Sequence, residues 1–552
     1  MGKSDVVRRF NQRIPMRDGV TLSADLALPA TGAAPAVVIR TPYGKSGERQ
    51  SGRGEVFCKG GYALVTADVR GRGDSDGAFE PYRNDGPDGA DVIAWAASQD
   101  WCTGQVATFG GSYGGKIQWL TALEKPPALR AMVALVTPSD PFVEWPTGTP
   151  GPMNINWHRK VDGRMPQYDE NVDWMAVYRH RPLRTMDEAA GFTAPAWREE
   201  LRHTTVDDWW EPHRYQHRIG EVDVPVLHIS GWYDDEEVGT PANFAAMAAA
   251  GRAGQRLLMG PWGHAVNTTR VLGDVDFGPD ALIDLDQYVL AFLDQHVKGL
   301  PPAPAEPAPV RYFVMGANEW RDAAQWPPAG ASQAVYRLSS AGRANSRYGD
   351  GQLVPLADPA PGAGPGTEEE PPDEWTHDPD HPVPFPTGAG SAQIGGPDDC
   401  LGLEGRGDVL VYTSAPLTEP LEVTGPVTVV AHVATSVLDT DITAKLVDVH
   451  PGGFAQRLCD GMVRLRYRDG CATAQPVTPG EVYEVTISLW DTSVRLDPGH
   501  RVRLEIASSA FPKYDVNLGT GGDMVTETDG VVAANRIWHT ASRPSRLILG
   551  QR

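Results

Sequence analysis

The segment Gly110-Gly111-Ser112-Tyr113-Gly114 places a serine between glycines, a pattern that can present a nucleophile. The apolar stretch QVATFG comes before it and the helical stretch KIQWLTALEK follows. In a strand-turn-helix of this kind, the glycines allow a tight turn that exposes the hydroxyl, and the first helical amides can stabilise an oxyanion. The simpler interpretation is a glycine-rich loop that happens to contain a serine. Other residues are needed to distinguish this loop from a nucleophile turn.

A serine hydroxyl needs a base to take its proton and a carboxylate to orient that base. In VLHISGWYDDEE, Asp234 follows a predicted strand, and in LLMGPWGH, His264 follows the next one. The order Ser112, Asp234, His264 at successive strand ends predicts the nucleophile, acid and base of an α/β hydrolase. Three neighbours of Asp234 remain alternatives for the acid: Asp235, Glu236 and Glu237.

Other polar and aromatic residues invite functional interpretations that we do not adopt. His213 and His217 have helix-face spacing suited to a metal, but a matching third ligand is not nearby, and we expect them to pack in a cap. His228 lies inside a predicted strand, and Trp119 lies on a predicted helix, so both are expected in the core. The charges of ADVRGRGDSDG are expected to form ion pairs that support the nucleophile turn. No metal or cofactor is expected.

The elements that position these residues are short apolar runs that alternate with helical stretches. Residues 12–30 predict a β-hairpin that turns at Asp18-Gly19. Further strands are predicted at 35–40, 62–69, 105–110, 129–137, 224–231 and 255–260, and a last helix at 284–300. Such alternation is typical of a mostly parallel sheet with helices on both faces.

The predicted domains are an α/β core in two parts, a helical cap inserted between them, and a C-terminal β-sandwich. Their expected bounds are 1–140 and 223–300 for the core, 141–222 for the cap, and 310–552 for the sandwich. The proline-rich segment 301–309 is expected to connect core and sandwich. From PVRYFVM onward the apolar residues alternate with period two, which favours an antiparallel sandwich or jelly roll. Residues 355–390 read as a long loop.

Composition excludes several classes of function. The net charge of −22, with no basic block, argues against a nucleic acid partner. We find no signal peptide and no run of 18 apolar residues, so a cytoplasmic protein without a membrane anchor is expected. The five cysteines are scattered, which fits free thiols in a reducing compartment.

Beyond these single residues, the chain resembles the X-prolyl dipeptidyl peptidase and cocaine esterase family of serine hydrolases. The resemblance covers nearly the whole chain and rests on blocks that occur in the family's order: MRDGVTL, RTPYGK, DVRGRGDSDG, GGSYGGKIQW, SGWYDDEEVG, GPWGH, PVRYFVMGANEWR, DTDITAKLVDV, LCDGMVRLRYR and PGHRVRLEIASSAFPKYD. It implies an acyl-enzyme intermediate, the triad Ser112, Asp234 and His264, and an α/β hydrolase with a helical cap and a C-terminal jelly roll. A homodimer is a further expectation from the resemblance.

The same resemblance implies an oxyanion hole made of one backbone N–H and one tyrosine hydroxyl. The matching positions here are Tyr113 for the N–H and Tyr43, in TPYGK, for the hydroxyl. Tyr43 follows the strand PAVVIR, so it is expected at the same sheet edge as Ser112. A packed aromatic whose hydroxyl reaches solvent is the alternative for Tyr43.

Substrate choice is expected to depend on the residues after the acid and on the cap. Where the cocaine esterase pattern has an aromatic, this chain has Asp235, Glu236 and Glu237. Carboxylates beside the pocket can hold a substrate ammonium, or else they are solvated or pair with arginines of the cap. Candidate pocket walls in the cap are Trp145, Trp157 and Trp174. By the same resemblance the cap, at roughly 80 residues, is expected to be shorter than that of the cocaine esterase relatives. Cocaine is not predicted as the natural substrate.

The function predicted first is hydrolysis of small esters or amides through an acyl-enzyme. A second enzyme hypothesis keeps the same residues but makes the protein an X-Pro dipeptidyl peptidase, an α-amino-acid ester hydrolase or an acyltransferase. A third makes the chain a catalytically silent binding protein in which the sandwich is the working part.

Overall fold

Two large β-sheets, one of ten strands and one of eleven, organise the chain. The computed structural model describes residues 6–167, 171–302, 308–356, 370–387 and 395–552. Part of the predicted connector (303–307) and parts of the predicted loop (357–369 and 388–390) lie outside the described residues. Within the described ranges, no helix combines the length and the apolar character needed to cross a membrane.

The first sheet is mostly parallel, as the unbroken apolar runs predicted. Strands β1 to β8 are Val6–Pro15, Thr21–Pro29, Ala34–Thr41, Ala63–Asp68, Cys102–Gly111, Leu129–Leu135, Val226–Gly231 and Arg256–Gly260. The order across the sheet is β1-β2-β4-β3-β5-β6-β7-β8-β11-β12, with β3 to β8 parallel to their neighbours in this set. β1 and β2 form the predicted antiparallel hairpin. The carboxyl ends of the parallel strands therefore meet at one edge.

Helices cover both faces of this sheet. The helices of the chain, α1 to α10, are Glu48–Lys59, Asp85–Ala97, Tyr113–Leu123, Pro141–Glu144, Asn154–Lys160, Trp174–Tyr178, Met186–Ala189, Pro195–Glu200, Gly239–Ala249 and Leu285–Val297. Phe57 of α1 and Phe292 of α10 pack on one face. Val92 of α2, Trp119 of α3 and Met247 of α9 pack on the other. The nucleophile turn lies between β5 and α3, inside this layered core.

One strand differs from the prediction. The stretch PVRYFVM, expected in the sandwich, contains β11 (Val310–Val314), which pairs parallel with β8 and antiparallel with β12 (Glu319–Ala323). The backbone N–H of Leu257 in β8 also donates to the carbonyl of Pro309 at 2.8 Å. The reason is that period-two alternation identifies a strand but does not specify which sheet it joins. The remaining strands of the α/β half, β9 and β10, are Val271–Leu272 and Val275–Asp276.

The segment after β6 contains α4 to α8 and forms the predicted helical cap, with short 3₁₀ turns between its helices. Its apolar side chains share one buried cluster with the C-terminal half. Met153 and Trp197 of the cap lie in this cluster together with Tyr467, Phe511 and Tyr514. The cap is therefore held by the sandwich as well as by the α/β core.

The C-terminal half forms the predicted antiparallel sandwich. Strands β13 to β23 are Ser332–Ser339, Gln352–Pro355, Asp373–His377, Leu410–Thr413, Leu421–Thr435, Asp441–Val449, Ala455–Arg464, Tyr483–Leu496, Arg501–Ala507, Ala533–Trp538 and Arg546–Gln551. Alternate side chains of β17 and β20, such as Val429 and Ile487, face a common apolar core. The fold class is thus an α/β hydrolase with a helical cap and a C-terminal jelly roll, as expected.

A buried arginine ties the cap to the sandwich. Arg464, in β19, is fully buried and binds the carboxylates of Asp441 and Asp515 at 2.8 and 3.0 Å. Its guanidinium also donates to the carbonyl of Thr147 at 3.0 Å, and Thr149 donates to Asp515 at 3.0 Å. Since Thr147 and Thr149 lie in the cap segment, these bonds fix where the cap begins.

Candidate active site

Ser112 occupies a strained turn between β5 and α3. Its φ of 58° is in the left-handed region, which non-glycine residues rarely adopt. The neighbouring glycines are required by space, because a Cβ on Gly110 would lie 2.6 Å from the carbonyl of Gly114, and one on Gly115 would lie 2.8 Å from the carbonyl of Leu135. The Ser112 N–H donates to Leu135 at 3.0 Å, which anchors the turn to β6.

The candidate acid and base follow β7 and β8 and form a hydrogen-bonded pair. His264 Nδ1 donates to Asp234 Oδ1 at 2.8 Å, and the hydroxyl of Ser230 donates to Asp234 Oδ2 at 2.7 Å. The Asp234 side chain is fully buried, so its orientation is fixed. Among the described residues, no hydrogen bond joins the Ser112 hydroxyl to His264, and such bonds commonly tighten only when substrate is bound.

The pKa of His264 is raised by this pairing. Burial lowers the pKa of the ring, but the adjacent carboxylate of Asp234 favours the charged imidazolium and outweighs burial. Asp235, with a carboxylate oxygen 3.9 Å from His264 Nδ1, adds to the same field. Glu236 has a carboxylate oxygen at the same distance. A base with a raised pKa is well matched to accepting a proton from a hydroxyl.

Tyr43 lies in the loop after β3, at the sheet edge predicted for it. The indole N–H of Trp157 donates to the Tyr43 hydroxyl at 2.9 Å. That loop is held by the fully buried Arg72, whose Nε donates to the carbonyl of Pro42 at 2.8 Å. The Tyr113 N–H stands at the first position of α3, directly after Ser112, where helical N–H groups have no partner within the helix.

The charges of ADVRGRGDSDG form the expected supporting network. Lys45 binds Asp68 and Asp74, and Arg70 binds Asp88 at 2.6 Å. Lys45 is two residues from Tyr43 in the chain, so its ion pairs hold the loop of Tyr43. The side chains of these pairs are not among those that line the cavity over Ser112.

A cavity opens over Ser112 between the core, the cap and the sandwich. Its lining side chains include Tyr82, Ser112, Lys116, Glu144, Trp145, Trp157, His158, Glu200, Trp210, His213, Asp235, Glu236, Trp490, Lys513 and Tyr514. The structure therefore brings Trp145, Trp157, Asp235 and Glu236 into the same cavity as Ser112. Trp174 instead stacks on Tyr178 in the cap.

The carboxylates at this cavity are largely buried and lack cationic partners. Among the described residues, no lysine or arginine lies within ion-pair distance of Glu144, Asp235 or Glu236, nor of the next residue, Glu237, which does not line this cavity. Oδ1 of Asp235, Oε2 of Glu236 and both carboxylate oxygens of Glu237 have no hydrogen-bond partner there. Pairing with cap arginines, the alternative considered from the sequence, is thus not seen.

Burial also changes how these carboxylates titrate. It raises the pKa of Asp235 to about 7 and that of Glu144 to about 8. The pKa of Glu236 is raised further, first by burial and then by the charge of Glu144. Carboxylates in this condition gain most from an added cation, because it lets them ionise without water.

Several residues to which we assigned no function from the sequence pack in the core or in the cap. Trp119 is buried and stacks on Tyr215, and His228 is buried beside Gln255. His217 contacts Glu211 at 3.1 Å in the cap. His213 packs against Trp209 as expected for cap packing, but it also lines the cavity, which the sequence did not predict.

Several residues that line the cavity were not predicted from the sequence. Lys116 had a usable signal, since it lies four residues after Ser112 and so shares its helix face. Glu144 and Tyr82 lie in segments whose path past the cavity cannot be predicted from the sequence. Trp490 and Lys513 reach the cavity only through the packing of the sandwich.

Two groups of described residues bring three metal-ligating atoms within 4.8 Å: Asp448, His450 and His500, and Asp234, Asp235 and His264. In the first group, His500 Nδ1 donates to the carboxylate of Asp448 at 2.9 Å. His450 Nε2 is 3.0 Å from Oε1 of the Gln456 side-chain amide. Hydrogen bonds thus already use these ring nitrogens. The second group contains the candidate acid and base, whose geometry is accounted for by proton transfer.

Comparison with known proteins agrees with this architecture. Residues 18–266 match the model of the X-Pro dipeptidyl-peptidase (S15 family), and residues 304–548 match that of the X-Pro dipeptidyl-peptidase C-terminal non-catalytic domain. Cocaine esterase from Rhodococcus sp. (strain MB1 Bresler) is 34% identical over 98% of this chain and 97% of its own length.

Two solved structures align with the chain over its whole length. One is an aminopeptidase from the marine sediment archaeon Thaumarchaeota archaeon, and the other is an α-amino acid ester hydrolase. Each has a TM-score of 0.86 and 26% identity, and each alignment covers 100% of this chain and 98% of the other.

Proposed function

Because the chain belongs to the X-Pro dipeptidyl-peptidase (S15) family of serine hydrolases, we propose that it hydrolyses esters or amides whose acyl group carries a free α-ammonium. The observation that carries this proposal is the set of buried carboxylates without cationic partners, led by Glu236 and Glu144, in the cavity that holds Ser112.

The proposed reaction runs through an acyl-enzyme. Ser112 attacks the substrate carbonyl as His264 takes its proton, and Asp234 holds the imidazolium that forms. The imidazolium then protonates the leaving alcohol or amine. Water enters, loses a proton to His264 and attacks the ester carbon of the acyl-enzyme, which releases the acid and restores the serine hydroxyl.

The oxyanion is proposed to lie between the Tyr113 N–H and the Tyr43 hydroxyl. The strained turn at Ser112 directs the nucleophile toward the N-terminus of α3, where the Tyr113 amide is available. Trp157 donates to the Tyr43 oxygen, so this bond does not use the tyrosine proton. Both donors are fixed before substrate arrives, which is the condition for effective stabilisation of the transition state.

The ammonium is proposed to bind between Glu236 and Glu144. Glu236 follows Asp234 by two residues, so the ammonium site and the acid that orients His264 share one turn after β7. This places the cation close to the scissile carbonyl, as an α-amino acyl group requires. The names of the aminopeptidase and the α-amino acid ester hydrolase support the same substrate class.

Hydrolysis of small neutral esters is the second candidate. It is favoured by the 34% identity to cocaine esterase and by the aromatic walls Trp145, Trp157 and Trp210. The assays described next also measure the preference between ester, amide and X-Pro peptide bonds.

The test compares two nitrophenyl esters of the same size, one with an α-amino group and one without. We expect wild type to favour the amino ester in kcat/KM, and Glu236→Gln to reduce that preference about 10- to 100-fold, because a hydrogen-bonded ion pair is lost. The exposed Glu484→Gln is the matched control and should keep the preference. Equal kcat/KM for the two esters in wild type and in Glu236→Gln would overturn the proposal, and an X-Pro nitroanilide assayed in parallel measures peptidase activity.

A further inference from the structure

Lys116 is a buried lysine one helical turn after the candidate nucleophile. Its side chain is almost fully buried, and its Nζ donates to the carbonyl of Ser139 at 2.7 Å. Nζ also lies 4.7 Å above the ring of Tyr82. Glu144 accepts a hydrogen bond from the N–H of the same Ser139, so the lysine and the glutamate hold the two sides of one residue. The ammonium is thus fixed at the wall of the cavity.

We propose that Lys116 is a positioning residue: its amino group, held on Ser139 at the wall of the cavity, lowers the pH at which Glu144 and Glu236 ionise and so sets the pH range in which the cavity accepts a substrate ammonium. This inference rests on the proposed function, since it concerns the same carboxylates. It adds a role for a residue that does not itself take part in bond breaking.

The charged groups around Lys116 come from four elements. Glu144 is on α4, Glu236 follows β7, Asp140 precedes α4, and Glu200 ends α8; all four favour the charged form of the lysine. Asp140 already contacts Arg214 at 3.3 Å, and Glu200 contacts His158 at 3.2 Å. Glu144 and Glu236 are therefore the carboxylates that depend on Lys116.

The other titratable neighbours do not provide this charge. Burial, with Lys116 as the next cause, lowers the pKa of His213 to about 3, so its ring is neutral at physiological pH. Burial raises the pKa of the Tyr82 hydroxyl well above its ordinary value, so it is neutral as well. Asp235 stands beside the base, with a carboxylate oxygen 3.9 Å from His264 Nδ1.

Two other lysines line the cavity: Lys513 pairs with Asp460 at 2.5 Å, and Lys160 lies 4.9 Å from the centre of the Tyr43 ring. Among the described residues that line the cavity, Lys116 is the lysine that shares Ser139 with Glu144.

Two carboxylates in one desolvated site cannot both ionise unless a cation is near. Burial raises the pKa of Glu144 and of Glu236, and the charge of Lys116 counteracts both shifts. The carboxylates in turn oppose the effect of burial, which lowers the pKa of Lys116. Removing the ammonium would therefore protonate the glutamates at a higher pH. A protonated glutamate holds an ammonium far less well than an ionised one.

A purely structural lysine and an anchor for a substrate carboxylate are the competing interpretations. A structural role would change stability or overall kcat without moving a pH profile. A substrate carboxylate would have to approach Glu144 and Glu236, which repel it. These differences make the pH dependence of substrate preference the deciding measurement.

The experiment follows the ratio of kcat/KM for the α-amino ester to that for the des-amino ester across pH. The triad acts on both esters, so its titration cancels in the ratio, and the substrate amine titrates equally in all variants. In wild type the ratio should fall as pH drops and the glutamates protonate. In Lys116→Met the midpoint of this fall should move up by about one pH unit or more, because a nearby opposite charge is lost.

Three further variants complete the test. Lys116→Gln keeps a donor for the Ser139 carbonyl and should show the same shift, which covers the case in which the methionine variant does not fold. Lys116→Arg retains the charge and should return the midpoint toward wild type. Lys125→Met, at the exposed end of the same helix, is the matched control and should leave the midpoint unchanged.

The outcomes separate this inference from the function on which it rests. If wild type prefers the amino ester but the midpoint is the same in Lys116→Met and Lys116→Gln, the role of Lys116 is wrong and the ammonium site stands. If wild type shows no preference at any pH and Glu236→Gln changes nothing, the proposed function itself fails and this inference fails with it.

Discussion

His264 lies 2.8 Å from the carboxylate of Asp234 but 3.9 Å from those of Asp235 and Glu236. Three successive acidic residues thus stand in different relations to one imidazole. The first is hydrogen-bonded to the ring and fully buried, which suits it to orient the base. The next two each have a carboxylate oxygen 3.9 Å from the ring nitrogen and each retain an unpartnered oxygen, and the nearer in sequence, Asp235, also raises the pKa of the ring. One short acidic run can therefore serve two tasks, proton transfer and recognition of a cation.

Ser112→Ala should abolish activity and covalent labelling. Without the hydroxyl no acyl-enzyme forms, and kcat for a nitrophenyl ester should fall by a factor of about 10⁴ to 10⁶. Labelling with a fluorophosphonate probe, followed by intact mass measurement, checks this directly. Ser98→Ala, at the exposed end of α2, is the control and should label like wild type. A wild-type protein that does not label would contradict the catalytic role of Ser112.

The pH dependence of a neutral ester should report His264. The imidazole acts as a base only when unprotonated, and its pKa is raised above its ordinary 6.5. Accordingly kcat/KM should fall as pH drops through a value above 6.5. In Asp234→Asn the remaining activity should fall at a lower pH, because the carboxylate that favours the imidazolium is gone. An acid limb that stays in place in this variant would argue against Asp234 as the partner of the base.

Tyr43→Phe should lower kcat by a factor of about 10² to 10³ with a smaller change in KM, because the lost hydroxyl is proposed to bind the oxyanion only in the transition state. Steady-state kinetics on the neutral ester measure this. Tyr348→Phe, on an exposed tyrosine of the sandwich, is the control. Loss confined to KM would instead place the Tyr43 hydroxyl in ground-state binding.

Arg464→Met should destabilise the protein strongly. The variant leaves Asp441 and Asp515 buried without their cation, a change that destabilises by about 3–5 kcal/mol. Urea denaturation followed by tryptophan fluorescence measures it. The exposed Arg343→Met should shift the unfolding free energy by less than about 0.5 kcal/mol. Similar midpoints for the two variants would show that the buried cluster contributes little.

The sequence was sufficient to predict what depends on strand order. Ser112, Asp234 and His264 each follow a strand of one parallel sheet, and the carboxyl ends of such strands must meet. The sequence was insufficient where position depends on how separate layers pack. Trp145 and Trp157 reach the cavity whereas Trp174 does not, although all three looked alike in the sequence.

Distance along the chain hid the remaining contacts. Glu144 and Lys116 both bind Ser139 only because the segment after β6 returns to α3, and no local pattern encodes that path. β11 joined the first sheet although its alternation suited the second equally well. In both cases the competing arrangements differ in tertiary burial and not in local preference.

Trp490, Lys513 and Tyr514 belong to the C-terminal half yet stand over the nucleophile. Both halves of the chain, and not the catalytic half alone, thus supply side chains that can select the substrate. Exchanging the C-terminal half with that of a relative would combine pocket walls from two proteins. Directed evolution confined to the first 300 residues would leave the pocket wall of the C-terminal half unchanged.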